Sequence, residues 1–206
     1  LRVTASNLGI IYLYGELLES FIAKHPRIEV VLTAAETPFD GVRQVLARGA
    51  DAAFVAFPVD EPGLSEVVLG ETEHVVIVTR THPLARRRGV TIADLQRYPF
   101  IRYKVGAGSR VISDALFLKR GGYPEIFLES NDTEFVKRIV GLGYASAITP
   151  RFVVTREARD RRLKSLKVVD GMQRQKYGLV FRRDARMRAL NVFAAFCLAH
   201  KEMVPS

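Results

Sequence analysis

The chain of 206 residues is 48% hydrophobic, which is enough to bury the core of one large domain or two small lobes and excludes a disordered or collagen-like protein. No apolar run reaches the roughly 18 residues that a membrane span needs, and no signal-peptide pattern opens the chain, so we expect a soluble protein without a membrane partner. The formal net charge of +9 is compatible with anionic partners. The single cysteine excludes a disulfide framework, which is compatible with the cytoplasm.

The first third of the chain alternates between the periodicities of strands and helices. The predicted elements are a strand at 1–5, a helix whose apolar positions run from Ile10 to Ile22, a strand at 28–34, a helix that starts at Thr37-Pro38 and ends at Gly49, and a strand at 51–57. The last of these, DAAFVAF, is nearly all apolar, as expected of a strand covered on both faces. This β-α-β-α-β order predicts a parallel sheet with right-handed crossovers.

The rest of the chain predicts a second α/β unit followed by two late strands and a closing helix. The predicted elements are strands at 64–71 and 74–79, a loop at 81–89, a short helix at 91–98, a strand at 99–103, a helix at 108–122, a strand at 125–130, a helix at 131–143, a strand at 144–150, a short helix after Pro150, strands at 162–170 and 176–182, and a helix at 186–201. Cys197 lies on an apolar stretch of the closing helix, which favours a buried side chain over a nucleophile.

Small polar residues occupy four strand-to-helix junctions. They are Ser6 and Asn7, Thr37, Gly108 and Ser109, and Ser130 to Thr133. Ligands of open parallel sheets bind beyond the carboxyl ends of the strands, where helix N-termini offer free N–H groups. Each junction is also explained by capping alone, since these residue types are the preferred N-caps of any helix. Two such junctions in each half of the chain nevertheless predict polar helix starts that could face a common ligand.

A basic strand lies close to the third junction, in the stretch PFIRYKVGAGSR. Alternation along a strand puts Arg102 and Lys104 on one face and Tyr103 on the other. A guanidinium beside helix N-termini favours an anionic ligand such as a carboxylate or a phosphate. A plain surface arginine is the alternative for Arg102.

The sequence contains no motif for catalysis, metal binding or cofactor binding at the position in a strand or helix that such a motif requires. The GLG at 141–143 ends a helix instead of opening one, so it indicates a C-cap and not a dinucleotide loop. The four histidines are scattered, without the helical pair or the cysteine partner of a zinc site. We therefore expect no enzyme activity, no metal and no cofactor.

The positive charge is concentrated in three segments. Residues 80–110 carry eight basic residues against Asp94, residues 151–167 carry seven against two acidic ones, and residues 174–188 carry six against one. Such runs can attract nucleic acid without sequence preference. Arginines in loops and at helix ends usually just face solvent, so a solvated surface is the expectation and a nucleic-acid contact is the alternative.

The order of several stretches resembles one family over almost the whole chain. The stretches are LRVTAS at 1–6, KHPRIEVVL at 24–32, LARGADAAFV at 46–55, THPLA at 81–85, TIADLQRYPFI at 91–101 and GLGYASAITP at 141–150. Each is weak alone, but together they resemble the effector-binding domain of LysR-type transcriptional regulators.

That resemblance implies an α/β fold like that of type 2 periplasmic binding proteins, with two lobes that are each a mostly parallel sheet flanked by helices. Lobe I would take residues 1–75 and 170–206 and lobe II residues 76–169, with two crossing strands as the hinge. A small carboxylate- or phosphate-bearing effector would bind in the cleft, and the domains would form dimers or tetramers. DNA would be bound only through a winged helix-turn-helix expected before Leu1. Carried over by position, the effector contacts would be Ser6, Asn7, Thr37, Arg102, Tyr103, Ser109, Ser130, Asn131 and Thr133.

Two other functions fit the same two-lobed scaffold. A periplasmic solute-binding protein for a small anion would need an export signal upstream of Leu1, where a regulator needs a helix-turn-helix. An enzyme would need a nucleophile, a base or a metal set, and the residues indicate none.

Overall fold

The computed structural model describes residues 1–155, 157, 160–169, 171–172 and 174–205. The chain divides into two compact units, one made of Leu1–Thr72 and Gln175–Ser206 and the other of Glu73–Arg174. Both units combine strands and helices, as the alternating periodicity predicts. No helix of the described residues is long and apolar enough to span a membrane.

The strands and helices follow the predicted order. The strands are β1 (Arg2–Ser6), β2 (Val31–Ala35), β3 (Ala52–Ala56), β4 (Leu64–Thr72), β5 (His74–Thr79), β6 (Gly89–Val90), β7 (Phe100–Tyr103), β8 (Ile126–Ser130), β9 (Ala147–Pro150), β10 (Leu163–Val168) and β11 (Gln175–Arg182). The helices are α1 (Asn7–Gly9), α2 (Gly15–Lys24), α3 (Pro38–Leu46), α4 (Ile92–Leu95), α5 (Gly108–Phe117), α6 (Thr133–Gly141) and α7 (Arg188–Ala199). A π-helical turn at Ile10–Tyr14 joins α1 to α2, and 3-10 turns occupy Pro83–Arg86, Leu118–Arg120, Arg151–Val154 and Lys201–Met203.

The sheet of the first unit has the strand order β2-β1-β3-β11-β4. β1 pairs in parallel with β2 and with β3, whereas β11 pairs antiparallel with β3 and with β4. Alternation along the central strand β3 sends Ala53 and Val55 into a cluster with Val42 and Val45 of α3. Phe54 points to the opposite face, where it stacks on Tyr14 and meets Phe193 of α7. The predicted burial of this strand on both faces is confirmed.

The second unit has a four-stranded sheet of order β6-β10-β5-β9 and a separate parallel pair of β7 and β8. β10 is antiparallel to β5 and parallel to β6, and β5 is antiparallel to β9. An isolated parallel bridge between Phe100 and Ser146 links β7 to the chain just before β9. Its core packs one face of the sheet against α4 and α5, with Phe100 and Phe117 in an edge-to-face contact of 5.0 Å between ring centroids. The parallel pairs β1–β2 and β7–β8 are each joined by a helical crossover, whereas the antiparallel pairs join strands that are far apart in the chain.

The structure confirms some of the local predictions and differs from others. Gly143 has a φ of +88°, which confirms the helix-ending role of the GLG stretch, and Cys197 is buried. The closing helix begins at Arg188 instead of residue 186, and the short helix predicted after Pro150 begins with a 3-10 turn at Arg151–Val154. Ile22 was expected on the buried face, but it is 48% exposed because it flanks the stripe centred on Leu17 and Phe21.

Candidate functional site

The carboxyl ends of β1 and β2 lie side by side in the first unit. The two strands are parallel, and their register pairs Ser6 with Ala35. Ser6 leads directly into α1, and Thr37 leads into α3 two residues after Ala35. Two of the predicted junctions therefore occupy one edge of one sheet.

Ser6 caps the first helix and keeps a donor for a ligand. Its Oγ accepts a hydrogen bond of 3.1 Å from the Gly9 N–H, which confirms its predicted capping role. A serine hydroxyl also carries a proton, which the cap leaves available to donate. Asn7 is exposed, and no acidic residue lies in the first turn. The first N–H groups of this helix have no intrahelical acceptor, so this helix start can offer donors to an anion.

Thr37, in contrast, is fully occupied by a capping box. Its Oγ1 accepts from the Asp40 N–H at 3.1 Å and donates to Asp40 Oδ2 at 2.8 Å, while its own N–H donates to the same carboxylate at 3.0 Å. The hydrogen bond from the Thr37 side chain, followed by that from Arg43, lowers the pKa of Asp40 below its usual range. Thr37 therefore keeps no proton to donate to an anionic ligand, and the Asp40 charge opposes one.

In the second unit, the ends of β7 and β8 are adjacent in the same way. Their register pairs Tyr103 with Ser130, and the Lys104 N–H donates to the Ser130 carbonyl at 3.2 Å. Tyr103 is buried, and its hydroxyl lies 3.4 Å from Oγ1 of Thr133 and of Thr149. Burial raises the pKa of Tyr103, against the opposing effect of its hydrogen bonds. The phenol is thus a neutral group that joins β7 to the start of α6 and to β9.

The charge of Arg102 is paired within its own unit. Its Nη2 lies 2.8 Å from Oε2 of Glu129 on the neighbouring strand, and its guanidinium sits over the Tyr123 ring. Arg110 reaches the same carboxylate at 3.5 Å and binds Asp114 at 2.8 Å. Burial and a hydrogen bond to Asp114 raise the pKa of Tyr123 to about 12. A ligand at Arg102 would therefore share the guanidinium with Glu129.

Ser109 stands in the first turn of α5 and is not its cap. The N-cap position is Ala107, which has no side-chain cap bond, and Gly106 with a φ of +92° turns the chain toward it. Ser109 is buried, and its hydroxyl has no hydrogen-bond partner among the residues that the structure describes. No acidic residue lies in this first turn. The start of α5 therefore combines open N–H groups with an unused hydroxyl.

The fourth junction is largely satisfied by its own side chains. Ser130 Oγ accepts from the Asp132 N–H at 3.1 Å, and Asp132 caps α6 by accepting from the Phe135 N–H at 2.9 Å. Glu134 adds a second carboxylate to the first turn, and Asn131 is exposed. Thr133 is buried beneath this turn at the Tyr103 hydroxyl.

Electrostatics thus divide the four junctions into two kinds. The starts of α3 and α6 each hold acidic side chains on the helix N-terminus, which neutralises the partial positive charge that an anion would meet. The starts of α1 and α5 hold none. Of the four, these two fit an anionic group.

Some of the groups that build the site were not predicted. The Arg110–Asp114 pair has the i,i+4 spacing of a helix ion pair, which is a readable signal once α5 is assigned. Asp132 was included in the junction, but nothing marked it as the cap in preference to its neighbours. Thr149 gives no sequence signal, because its contact with Tyr103 depends on the packing of β9.

A separate depression of about 510 Å³ lies in the first unit, away from these junctions. Its walls are Val68, Leu69, Gly70, Glu71, Lys176, Lys201, Glu202 and Val204, from β4, β11 and the C-terminal turn. No predicted site residue lines it. Among the described residues, no group of three or more His, Cys, Asp or Glu side chains is placed to hold a metal ion.

Comparison with known sequences matches residues 1–202 to the family described as LysR substrate binding domain. The chain is 29% identical over 173 residues to the HTH-type transcriptional regulator CbbR of Xanthobacter flavus, covering 82% of this chain and 51% of that protein. It is 27% identical over 169 residues to the HTH-type transcriptional regulator CysB of Burkholderia cenocepacia, covering 82% and 53%. The chain thus spans about half the length of these relatives.

Solved structures of the same fold include two that hold small molecules. The regulatory domain of Synechocystis PCC6803 CcmR in complex with 2-PG superposes with a TM-score of 0.89 at 22% identity, covering 100% of this chain and 99% of that one. The effector binding domain of QuiR in complex with shikimate gives a TM-score of 0.84 at 20% identity, covering 98% and 96%. At these identities the likeness concerns the fold.

Proposed function

The chain belongs to the LysR substrate-binding domain family, and on that premise we propose that it is the effector-binding and oligomerisation domain of a bacterial LysR-type transcriptional regulator. The match over residues 1–202 is the observation that carries this proposal. The relatives CbbR and CysB are transcriptional regulators, which favours a regulator over a solute-binding protein or an enzyme.

The effector is a small molecule with a carboxylate or a phosphate. The start of α1 in the first unit and the start of α5 in the second are each suited to such a group. The support is physical: both helix starts lack acidic residues, Ser6 keeps its hydroxyl proton, and the Ser109 hydroxyl is unused within the described chain. Shikimate and 2-PG, the ligands of the two structural neighbours, set the size of molecule to test. The two compact units serve as the two lobes.

The remaining predicted contacts take different roles. Tyr103 and Thr133 support the start of α6 from beneath, and Asn7 and Asn131 are exposed amides that can reach a ligand without breaking a cap. Thr37 and Ser130 act chiefly as local caps. Arg102 would contact the effector only together with Glu129.

The effector controls transcription by binding one conformational state of the domain more tightly than another, since only differential affinity can shift an equilibrium. The domain forms a homodimer or homotetramer, and DNA is bound by a helix-turn-helix domain that precedes it. We place the protein in the cytoplasm, where its DNA target is.

Calorimetric titration with shikimate, 2-PG and other small carboxylates and phosphates tests the effector site. Ser6→Ala and Ser109→Ala each remove one hydrogen bond to a charged group and should weaken binding about tenfold or more. Thr37→Ala is the matched control, because it shortens a hydroxyl side chain at a helix start whose proton is already donated to Asp40. Unchanged affinity in both serine variants would refute the site assignment.

A further inference from the structure

One edge of the second unit carries two basic segments that the sheet brings together. β5 ends beside the start of β10, because the antiparallel register pairs Thr79 with Leu163. The chain from residue 80 to 88 connects the end of β5, on one side of β10, to β6 on the other side, where Gly89 pairs with Lys167 near the end of β10. The two ends of the segment 80–88 therefore lie next to the two ends of the segment 161–168. We name this surface the β10 edge; its basic side chains are Arg80, Arg86, Arg87, Arg88, Arg161, Arg162, Lys164 and Lys167.

These side chains are open to solvent and mostly unpaired. Lys164 is half-buried and the other seven are exposed. Arg87 forms a salt bridge of 2.7 Å with Asp94. Within the described part of the chain, the other seven side chains have no carboxylate within salt-bridge distance.

Acidic groups do little to offset this charge. Neither segment, 80–88 or 161–168, contains an aspartate or a glutamate. Glu157, just before the second segment, is bound by the buried Lys137 at 2.7 Å, and Asp160 already has a partner of its own. The β10 edge therefore concentrates positive charge in a chain whose formal net charge is +9.

We propose that the β10 edge binds the phosphate backbone of a DNA duplex, in addition to any contact made by a helix-turn-helix domain. The partner class rests on the proposed function, since a transcription regulator works next to DNA. Six residues of β10 at about 3.3 Å each give the edge a length of roughly 20 Å, which matches about six base pairs at 3.4 Å per step. A row of charges of that length fits a linear polyanion, whereas a small anion would occupy only one or two of them.

The contact would be independent of sequence. Exposed arginines and lysines neutralise phosphates and release condensed counterions, and they read no base edges unless they enter a groove. Arginine predominates on the β10 edge, and its planar guanidinium binds phosphate oxygens in pairs. The expected signature is therefore a weak, strongly salt-dependent affinity for any duplex.

The test is fluorescence anisotropy of the 206-residue chain with a labelled mixed-sequence duplex of about 30 base pairs, from about 50 to 200 mM salt. The test variant is Arg86→Gln/Arg88→Gln/Lys167→Gln. The matched control is Arg27→Gln/Arg186→Gln/Arg188→Gln, which removes the same charge from exposed side chains of the first unit. The substitutions are all on exposed side chains, and equal urea midpoints confirm that both variants are folded.

We expect the test variant to bind about tenfold or more weakly at low salt, with the slope of log affinity against log salt reduced by about 2 to 3, while the control stays near wild type. Equal losses in both variants would show a net-charge effect and overturn the proposal. Binding to poly-L-glutamate without measurable duplex binding would overturn it in favour of an acidic protein partner. This titration contains no effector, so its result does not depend on the effector site. If no effector binds in the calorimetric titration while duplex binding is intact, only the proposed function is contradicted.

Discussion

His74 makes the stability of the second unit sensitive to acid. It opens β5 opposite Pro150 of β9, is 2% exposed, and has no hydrogen-bond partner for either ring nitrogen among the described residues. Burial lowers the pKa of His74 from 6.5 to about 4. The folded state therefore holds this side chain neutral at pH values at which the unfolded chain would protonate it.

The sign and size of the effect follow from linkage. Because the folded pKa is depressed, the stability is fully present above pH 6.5 and is lost as the pH falls toward 4. From these two values, the loss from His74 alone reaches about 2 kcal/mol at about pH 5. His74→Leu removes that loss. It also removes a buried unpaired N–H, which destabilises the folded wild-type protein by about 1 to 3 kcal/mol at any pH. The variant should be the more stable protein at about pH 7.5, and its advantage should grow by about 2 kcal/mol by about pH 5.

Urea unfolding of both proteins at the two pH values measures this advantage. Other titrating groups, including His82, are present in both proteins and cancel in the difference. Ile148→Val, at a buried position of β9, serves as the control, because it should cost about 1 kcal/mol at both pH values. An advantage of His74→Leu that is the same at both pH values would show that His74 does not titrate as its burial implies.

Two further substitutions test the local structure by urea unfolding. Thr37→Ala removes the capping box of α3 and should cost about 1 kcal/mol; no loss would mean that the box contributes nothing to stability. Gly178→Ala would place a Cβ against the Val67 carbonyl oxygen at the irregular β11–β4 pairing and should lower the stability by about 2 kcal/mol or more. Gly63→Ala is the control: the added Cβ would meet open space, so stability should change by less than about 1 kcal/mol. Equal losses in the two glycine variants would contradict the predicted clash.

Local signals in the sequence predicted those parts of the fold that neighbouring residues determine. Thr37 followed by Pro38 and Asp40 specifies a helix start within four residues, and the structure has that start. Gly143 ends α6 because a left-handed φ suits glycine. Alternation and apolar runs placed the strands, because burial on a sheet has a period of two.

Contacts between distant residues were not predictable in this way. Arg102 is paired with Glu129, 27 residues away, and that pair forms only because β7 and β8 are neighbours. The N-cap of α5 is Ala107, which has no polar side chain to mark it, so Ser109 was read as part of the cap when it is a buried residue of the first turn. Pairing of β11 between β3 and β4 makes the first sheet mixed, and periodicity cannot reveal which strands a late strand joins.

We propose that the start of α1 in the first unit and the start of α5 in the second each offer N–H donors to a small anionic effector. Amide chemical shifts of the isotope-labelled chain, titrated with the effector found by calorimetry, test it most directly, because N–H groups that bind an anion report its arrival. We expect the largest changes at the amides of Asn7, Leu8, Ser109 and Arg110, with small changes at Phe39 in the first turn of α3. Changes centred instead on the depression lined by Leu69 and Lys176, with the starts of α1 and α5 unaffected, would contradict it.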